Sequence, residues 1–472
     1  MQTKTKIIAT LGPACADENT ITELVEQGVD MFRLNFSHGT LEEHAEMLSH
    51  VNRARANFPF SIGILADLCG PKIRITELPA GESVSSGDTV RIVSKLPRGT
   101  AARFGTNYPD FYSDVSIGQR VLIDDGQIEL KITDKQNGEV ICEVITGGDL
   151  KSRKGINLPD TDISTPAITE RDWQCVNWAM DHGVDYLALS FVQSSDEITW
   201  LKNYLIEKGS LIRVVAKIEK PQAVENLQSI VNASDAVLVA RGDLGVEMDL
   251  ARVPLIQKQI TRLCRKLGKP VIVATQMLQS MIKSPTATRA EVSDVANAIM
   301  DFTDAVMLSG ETAVGEYPVK AIQTIEQIGE VTEAWLDSLN EPRPRIETHS
   351  DLSIDESIAR SVAQIVDDMK AKMVVVWCQT GCTARLLSKA RIDVPILALC
   401  ADREMCREMS LHYGVIPVCR TRPRDFSQFA DLANKVAQDN GWAKKDDTII
   451  LLPTGCLLRP NSTKAIVFHT VQ

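Results

Sequence analysis

The chain has 472 residues, 44% of them hydrophobic, and its length predicts two or three domains. Its net charge of −11 disfavours a nucleic-acid partner, because phosphate backbones are bound by basic surfaces. No run reaches the roughly 18 apolar residues that span a bilayer, and the start is unlike a signal peptide, so we expect no membrane contact and a cytoplasmic location. Eleven scattered cysteines without a Cys-x-x-Cys pair predict reduced thiols and no zinc.

Short apolar runs alternate with amphipathic stretches across more than half of the chain. Eight runs are rich in β-branched residues and end in polar side chains. Eight strand–helix units predict a closed (β/α)8 TIM barrel made of residues 1–70 and 166–340, with a doubly wound open sheet as the competing architecture. The predicted strands are KIIATL (6–11), MFRLNFS (31–37), SIGILADL (61–68), DYLALSF (185–191), RVVAKIE (213–219), AVLVARG (236–242), PVIVATQ (270–276) and AVMLSGE (305–311).

The alternation is interrupted once, over residues 71–165. Helical periodicity gives way there to Gly and Asp turns and to alternating segments such as DTVRIVS and GEVICEVIT. We interpret this stretch as a small β-barrel-like domain inserted after the third strand. Because it leaves and rejoins the rim of the barrel through GPKIR and KGINLP, it is placed to act as a lid.

A Pro-rich, charged segment after residue 339 is typical of a linker. Beyond it, residues 350–472 contain an amphipathic helix and the runs MVVVWC, PILALC, VIPVC and TIILLP, which predict a smaller α/β domain. Two turns of small residues, QTGCTAR at 379–385 and PTGCLLRPNST at 453–463, follow predicted strands. Turns of this composition can bind phosphate, and ordinary tight turns explain them equally well.

One lysine and two carboxylates stand at the ends of neighbouring strands. The period of two in RVVAKIE places Lys217 and Glu219 on one face, and after the helical stretch PQAVENLQSIVNAS the next strand leads into Asp243. In parallel α/β folds this end of the strands carries the site. The carboxylates suit a hard cation such as Mg²⁺ and Lys217 suits proton transfer, whereas a structural Lys-Glu pair is the alternative.

Polar residues also follow most of the other predicted strands. A helix cap or a surface ion pair would explain any one of them, but not their shared position after six strands of one barrel. Cations, carboxylates and hydroxyls together indicate a metal-assisted site that handles phosphate. The residues are Arg33, Asn35, Ser37, His38, Asp67, Lys72, Arg74, Lys217, Glu219, Asp243, Thr275, Ser309 and Glu311.

Nine segments of the chain resemble motifs of pyruvate kinases, in the order of that family. They cover the chain from Lys4 to Glu330, and the C-terminal third is similar to the family's regulatory domain in layout. The resemblance implies transfer of the phosphoryl group of phosphoenolpyruvate to ADP, with Mg²⁺ or Mn²⁺ and assembly as a homotetramer. The segments are RLNFSHG, GPKIR, LIDDG, KGINLP, AKIE, VARGDLGVE, ATQML, TRAEVSDVANA and MLSGETAVGEYP.

The resemblance assigns a role to each group at the mouth of the barrel. It implies that Glu219 and Asp243 hold the metal, and that Arg33 and Lys217 bind the transferring phosphoryl group. The nucleotide is assigned to residues of the mouth and of the lid. These are Asn35, His38, Arg74 and Lys154, with Asp125 on the inner face of the lid.

The remaining roles concern the carboxylate and the enolate of the substrate. By resemblance, the backbone amides of Gly242 and Asp243, together with Thr275, seat the carboxylate. Thr275 and Ser309 stand where the family relays a proton to the enolate carbon.

The resemblance also bears on monovalent cations, because many pyruvate kinases hold K⁺ beside the substrate phosphate. Three of the ligand side chains are kept as Asn35, Ser37 and Asp67, but Leu68 replaces a Thr and Lys72 replaces a Glu. The ammonium of Lys72 can stand in for the cation and repels K⁺. We therefore expect activity without K⁺; the alternative is that Lys72 faces solvent and K⁺ still binds.

The turns of the C-terminal domain lie where the family binds phosphorylated effectors. We expect a sugar-phosphate or nucleotide site at Thr380, Gly381, Thr383 and Arg385, with residues 459–463 as its second wall. A purely packing role for this domain is the alternative.

Two further functions compete with a kinase. A Mg²⁺-dependent enolate lyase or aldolase would use the same Lys, Glu and Asp, but it needs no nucleotide lid. A catalytically silent, metabolite-binding regulatory subunit would not need Lys217, Glu219, Asp243 and Thr275 intact. Pyruvate formation that requires ADP separates these possibilities.

Overall fold

In the computed structural model, which describes residues 3–339, 353–453, 457 and 464–472, eight short parallel strands close into a barrel. The first strand pairs with both the second and the eighth. This closure confirms the predicted (β/α)8 barrel and excludes the open sheet. The strands are Lys6–Thr10, Met31–Asn35, Gly63–Asp67, Tyr186–Leu189, Arg213–Ile218, Ala236–Ala240, Val271–Ala274 and Ala305–Leu308.

Alternation along each strand decides which side chains reach the mouth of the barrel. Val214 and Ala216 pack against the outer helices, whereas Val215 belongs to the cluster inside the barrel. The inward set continues to Lys217 at the carboxyl end of the same strand. In the third strand, inward-facing Leu65 leads to Asp67 in the same way. The ends of the strands therefore direct their polar residues toward one centre.

Helices cover the outside of the barrel, and several begin at capping boxes, as at Thr40 and Thr288. The stretch 221–234, predicted as one helix, is divided at Asn226, whose side chain donates to the carbonyl of Gln193. Among the described residues no helix is long and apolar enough to cross a membrane. The helices are Glu18–Glu26, Leu41–Arg55, Glu170–Asp181, Ser195–Glu207, Pro221–Glu225, Leu227–Ala233, Arg241–Glu247, Val253–Lys266, Arg289–Met300, Gly310–Ala313 and Pro318–Ser338, with 3-10 turns at Leu250–Arg252 and Gln279–Ile282.

The lid between the third and fourth barrel strands is a curled, mostly antiparallel sheet with its own core, in which Phe104 and Phe111 are fully buried. The short helix Phe111–Asp114 packs in this domain. In spatial order the strands are Ile156–Asn157, Arg120–Ile123, Ile128–Gln136, Glu139–Thr146, Thr89–Ser94 and Arg103–Thr106, beside a separate pair formed by Ser83–Val84 and Gly148–Asp149.

The C-terminal domain is a five-stranded sheet with helices on both sides. Its last strand, antiparallel to its neighbour, was not predicted. Cys400 and Cys406 form a disulfide, so the expectation of reduced thiols is wrong for this pair. In spatial order the strands are Val415–Cys419, Ile396–Cys400, Val374–Cys378, Thr448–Leu452 and Val467–Thr470, and the helices are Ile354–Met369, Cys382–Lys389, Arg403–Glu408 and Phe426–Asp439, with a 3-10 turn at Met409–Leu411.

Buried ion pairs join this domain to the end of the barrel opposite the mouth. Asp304, directly before the eighth strand, lies 2.6 Å from Lys389 and 3.1 Å from Arg391. Arg407 donates over 2.8 Å to Asp185, directly before the fourth strand. The two domains therefore meet through charges that neither could bury alone.

Candidate active site

Asp67, at the end of the third barrel strand, joins two of the predicted cations. Its Oδ2 accepts a hydrogen bond from Arg33 Nε over 2.8 Å, and Lys217 Nζ lies 3.1 Å from Oδ1. The side chain is only 1% exposed. Burial opposes ionisation, but the charges of Lys217 and Arg33 outweigh it and hold the pKa of Asp67 below its usual value. An ionised Asp67 therefore keeps both cations at the mouth.

The ammonium of Lys217 is held from three sides. It donates to Ser190 Oγ over 2.7 Å and lies 2.8 Å from Glu219 Oε1, in addition to its contact with Asp67. Burial disfavours the charged form, yet Asp67 and Glu219 raise the pKa of Lys217 above its ordinary value. Lys217 is thus a fixed cation. Ser190 lies directly after the fourth strand, and Lys217 lies in the neighbouring fifth strand. Ser190 was not among the predicted site residues.

Glu219 is as buried as Asp67 and faces charges of both signs. Its Oε2 accepts a hydrogen bond from the Phe191 N–H over 2.8 Å. Burial raises the pKa of Glu219, Lys217 lowers it, and the negative charge of Asp243 raises it again. Two neighbouring carboxylates of this kind attract a cation. Within the described part of the chain, no group of three or more His, Cys, Asp or Glu is arranged for a metal, so water and substrate would have to complete its coordination.

Gly242 and Thr275 are brought together by the short helix that follows the sixth strand. The Gly242 N–H donates to Thr275 Oγ1 over 2.7 Å, and that hydroxyl donates to the Ala274 carbonyl over 2.6 Å. Thr275 has φ +67°, a conformation that is costly for a β-branched residue. The hydroxyl is therefore fixed in position at the mouth, beside the residue that precedes Asp243.

Arg241 stabilises this turn, and the sequence analysis missed it. The strand predicted to run to Gly242 ends at Ala240, because Arg241 begins the helix. Arg241 Nη2 donates to the Thr275 carbonyl over 2.8 Å, and Nη1 donates to Asp294 over the same distance. A guanidinium thus supports the strained backbone of Thr275. The sequence feature that could have identified Arg241 is its position as a charged residue at the end of a fully apolar run.

Ser309 lies beyond the eighth strand and is positioned by Glu311. The Ser309 N–H donates to Glu311 Oε2 over 2.8 Å, and the Leu278 N–H donates to Oε1 over 3.1 Å. Glu311 is buried, so its carboxylate ties the loops after the seventh and eighth strands together. The prediction that Ser309 is at the mouth agrees with this placement, and the role of Glu311 is positional.

The segment after the second strand borders the buried cluster. Asn35 is the register partner of Asp67, and its Oδ1 accepts a hydrogen bond from the Ser37 N–H over 3.2 Å. His38 is exposed. Leu68 is buried, and only its carbonyl offers an oxygen. Of the four positions assigned to a monovalent cation, Leu68 therefore supplies no side-chain ligand.

The lid contacts the barrel mouth through two polar pairs. Lys72 Nζ lies 3.6 Å from Asp243 Oδ1. Asn157 Nδ2 donates to Glu247 Oε1 over 2.7 Å. Lys72 thus approaches a carboxylate assigned to the metal, while 34% of its side chain stays exposed.

Two of the lid residues assigned to the nucleotide, Arg74 and Lys154, lie in its two connections to the barrel, and the third, Asp125, lies in a turn between two lid strands. Arg74 Nη1 donates to the Arg153 carbonyl over 3.0 Å, and Lys154 Nζ lies 2.7 Å from Asp124. Asp125 is exposed in the turn beside Asp124. The structure therefore brings Arg74, Lys154 and Asp125 into one region of the lid.

The small-residue turn of the C-terminal domain precedes the helix Cys382–Lys389, with Gly381 at φ +71° and Thr380 exposed. Arg385 is directed elsewhere, because its Nη1 donates to the Gly268 carbonyl of the barrel over 2.9 Å. Residues 459–463, predicted as the second wall, lie outside the described residues.

A closed (β/α)8 barrel whose mouth pairs fixed cations with carboxylates beneath a lid defines a phosphotransferase. The family models of the pyruvate kinase barrel domain and alpha/beta domain match residues 2–322 and 356–456. The chain belongs to the pyruvate kinase family, whose members transfer the phosphoryl group of phosphoenolpyruvate to ADP, giving pyruvate and ATP in the last step of glycolysis.

Individual relatives match almost the whole chain. A pyruvate kinase of Lactobacillus delbrueckii subsp. bulgaricus is 37% identical over 95% of this chain and 77% of its own. One of Thermococcus litoralis is 39% identical over 95% of this chain and 94% of its own. The crystal structure of a Cryptosporidium parvum pyruvate kinase superposes with a TM-score of 0.90, at 32% identity, over 100% of this chain and 97% of that one.

Proposed function

We propose that phosphoryl transfer takes place at the buried cluster of Arg33, Asp67, Lys217 and Glu219. The observation that carries this assignment is the position of the Lys217 ammonium, which two buried carboxylates fix at the centre of the mouth. Phosphoryl transfer depends mainly on positioning and on neutralising charge. Because its pKa is raised, Lys217 acts here as a permanent positive charge for the transferring group, beside the guanidinium of Arg33.

Glu219 and Asp243 are proposed to hold Mg²⁺, or Mn²⁺ in its place. Burial, and to a smaller extent the negative charge of Asp243, raise the pKa of Glu219, and a divalent cation between the two carboxylates would stabilise their charged forms. The two carboxylates leave several coordination positions for water and substrate oxygens. When bound, the metal supplies Lewis-acid polarisation and charge neutralisation.

The carboxylate of phosphoenolpyruvate is assigned to the turn at Gly242, Asp243 and Thr275. The Gly242 amide donates to Thr275 Oγ1. A substrate carboxylate that binds at this turn would take the place of that hydroxyl as the acceptor of the amide. The same hydroxyl, with Ser309 on the neighbouring loop, is proposed to lie on the path of the proton that reaches the enolate carbon. The fixed geometry of Thr275 supports this role.

ADP is proposed to bind between the barrel and the lid. Asn35 and His38 contribute from the barrel, and Arg74, Lys154 and Asp125 from the lid. Support comes from the lid contacts of Lys72 and Asn157, which place this domain against the mouth. Basic side chains on that side suit the phosphates of a nucleotide.

Activity is proposed to be independent of K⁺. The Lys72 ammonium approaches Asp243, and Leu68 contributes no side-chain oxygen. The proposal is that the positive charge of Lys72, at the mouth that also carries Asn35, Ser37 and Asp67, opposes a second monovalent cation.

Regulation and assembly are proposed by resemblance to the family. We propose a phosphorylated effector at Thr380, Gly381 and Thr383, where the helix Cys382–Lys389 begins, with Arg385 linking that turn to the barrel. A homotetramer is supported by large apolar side chains that stay exposed in the single chain, such as Leu250 and Leu255. Light scattering tests the assembly. Titration of sugar phosphates and nucleotides at subsaturating phosphoenolpyruvate tests the effector, and calorimetry without heat for any compound would remove it.

The site assignment is tested by combining catalysis with metal binding. Pyruvate formation from phosphoenolpyruvate should require ADP and Mg²⁺, which excludes a lyase, an aldolase and a silent subunit. Electron paramagnetic resonance of Mn²⁺ provides the second readout. Glu219→Gln and Asp243→Asn should each weaken Mn²⁺ binding at least tenfold, whereas Asp355→Asn, in the C-terminal domain, should not. Unchanged binding in the first two variants would show that the metal lies elsewhere.

A further inference from the structure

A cavity of about 510 Å³ opens between the barrel and the C-terminal domain. It lies at the end of the barrel opposite the mouth, because its barrel wall runs from the end of helix Leu41–Arg55 to Ile62, directly before the third strand. The other wall comes from helix Arg403–Glu408 and the end of strand Val415–Cys419. A molecule bound here would touch both domains.

Four arginines line this cavity, and no carboxylate does: Arg55, Arg403, Arg407 and Arg420. Of these, only Arg407 forms an ion pair within the described part of the chain, with Asp185 behind the wall. Such a concentration of unbalanced positive charge stands out in a protein whose net charge is −11.

The charges of these arginines act on one another. Burial, and then the positive charges of Arg407 and Arg403, lower the pKa of Arg55 to about 10, against the opposing effect of Asp185. Among the described residues, the Arg55 guanidinium donates only to the Ile62 carbonyl, over 3.3 Å, and the Arg420 guanidinium donates only to the Cys419 carbonyl, over 2.9 Å. Most of their N–H donors are therefore available to a ligand.

The same cavity has an apolar side. Phe58 and Phe60, both half-buried, line it with their ring centroids 5.5 Å apart, and Pro59 lies between them in sequence. Arginine donors match the oxygens of a phosphate, often two at a time, and aromatic rings cover the carbon part of an ester. The walls of the cavity can therefore contact both the phosphate and the carbon part of a phosphate ester.

We propose that this cavity is a binding site for a small phosphorylated organic molecule, separate from the catalytic mouth and from the turn at Thr380. The phosphate contacts Arg55, Arg403 and Arg420, and the organic part packs on Phe58 and Phe60. Because the two walls belong to different domains, the ligand also bridges them.

Calorimetry tests the site with three probes: inorganic phosphate, phenyl phosphate and glucose 6-phosphate. At least one ester should bind more tightly than inorganic phosphate. The double variant Arg403→Ala/Arg420→Ala should weaken that binding at least tenfold. As a matched control, Arg422→Ala/Arg424→Ala removes two exposed positive charges nearby that do not line the cavity, and should change it less than twofold. Equal weakening in both variants, or inorganic phosphate binding as tightly as the esters, would overturn the proposal.

The unmodified protein offers an independent measurement. Cys419 is partly exposed and lines the cavity, so its alkylation by iodoacetamide, followed by peptide mass spectrometry, reports occupancy at this place alone. A saturating ester should slow the reaction at least threefold in the unmodified protein and leave it unchanged in Arg403→Ala/Arg420→Ala. An unchanged rate at Cys419 would contradict the site. The arginine variants should keep normal turnover at saturating substrates, because the cavity lies at the end of the barrel opposite the mouth, so this test is separate from that of the catalytic cluster.

Discussion

Lys72 Nζ lies 3.6 Å from Asp243 Oδ1, and the two residues approach each other from the lid connection and from the barrel. The contact places a lysine ammonium next to a carboxylate that we assign to the divalent metal. We propose that this ammonium takes the place of a bound K⁺ at the mouth. The proposed independence of K⁺ rests on this pair.

The first prediction is that the enzyme needs no K⁺ and that Lys72→Glu creates such a need. A second positive charge about 4 Å from Lys72 costs roughly 4 kcal/mol at an effective dielectric near 20, whereas a glutamate there attracts the ion. Rates measured in tetramethylammonium buffer with and without K⁺ decide it. Lys72→Gln, which removes the charge without adding a carboxylate, is the control and should respond less. Strong activation of the unmodified enzyme by K⁺ would contradict the argument.

The second prediction is that Lys217→Met lowers turnover by at least about a hundredfold, because a preorganised charge for the transferring group is lost. The variant should also unfold more easily, by about 3–5 kcal/mol, since Asp67 and Glu219 are left buried without their shared cation. Steady-state assays and urea unfolding measure the two effects. Lys202→Met is the matched control, because Lys202 pairs with Asp235 away from the mouth. The Lys202→Met variant should lose some stability and keep its turnover. Near-normal turnover of folded Lys217→Met would remove Lys217 from the centre of the mechanism.

The third prediction concerns the junction of the barrel and the C-terminal domain. Asp304→Ala leaves the buried Lys389 and Arg391 charges without their carboxylate, and should destabilise the protein by about 3–5 kcal/mol. The comparison is Asp355→Ala, which breaks the exposed pair with Lys464 and should cost less than about 1 kcal/mol. Urea midpoints of both variants give the answer, and equal midpoints would show that the buried group does not hold the domains together.

The fourth prediction is a pH dependence that comes from Glu326. Burial raises the pKa of this carboxyl to about 7, although hydrogen bonds from Thr3 lower it. The folded protein therefore binds more protons than the unfolded chain between the usual glutamate pKa and about 7, so stability should fall as pH rises through that window. Glu326→Gln removes this titration and should be more stable at pH 8 by on the order of 2 kcal/mol. Unfolding at pH 5 and pH 8 measures the effect, with Glu316→Gln as the control, since Glu316 is exposed and lies just before the same helix. If Glu326→Gln and Glu316→Gln change stability with pH to the same extent, the prediction is wrong.

The sequence predicted the barrel because its signals are local. Each strand carries its own period of two and its own polar end, so the positions of Lys217 and Glu219 on one face followed without knowledge of any partner. Eight such units leave a closed barrel as the simplest arrangement. Two local details were missed. The strand through Gly242 ends early because Arg241 begins a helix, and the helix predicted over 221–234 is divided at Asn226.

The contacts that make the site work depend on closure of the barrel. Asp67 meets both Arg33 and Lys217, and Ser190 completes the shell around the ammonium. These residues are far apart in sequence, and no pattern records which of several mouth residues pair. The protonation states of these residues also depend on the closed barrel, because desolvation and neighbouring charges shift their pKa values in opposite directions, and distance and burial set the size of each effect.

The sequence by itself therefore determined the fold of the barrel, the presence of a β lid and the set of polar residues at the mouth, because periodicity and strand ends are properties of short segments. Tertiary structure decided how those residues are used. It directed Lys72 toward Asp243 and Arg385 toward Gly268, and it gathered Arg55, Arg403 and Arg420 around one cavity. Side-chain direction and electrostatic coupling between distant segments arise only when the domains pack together.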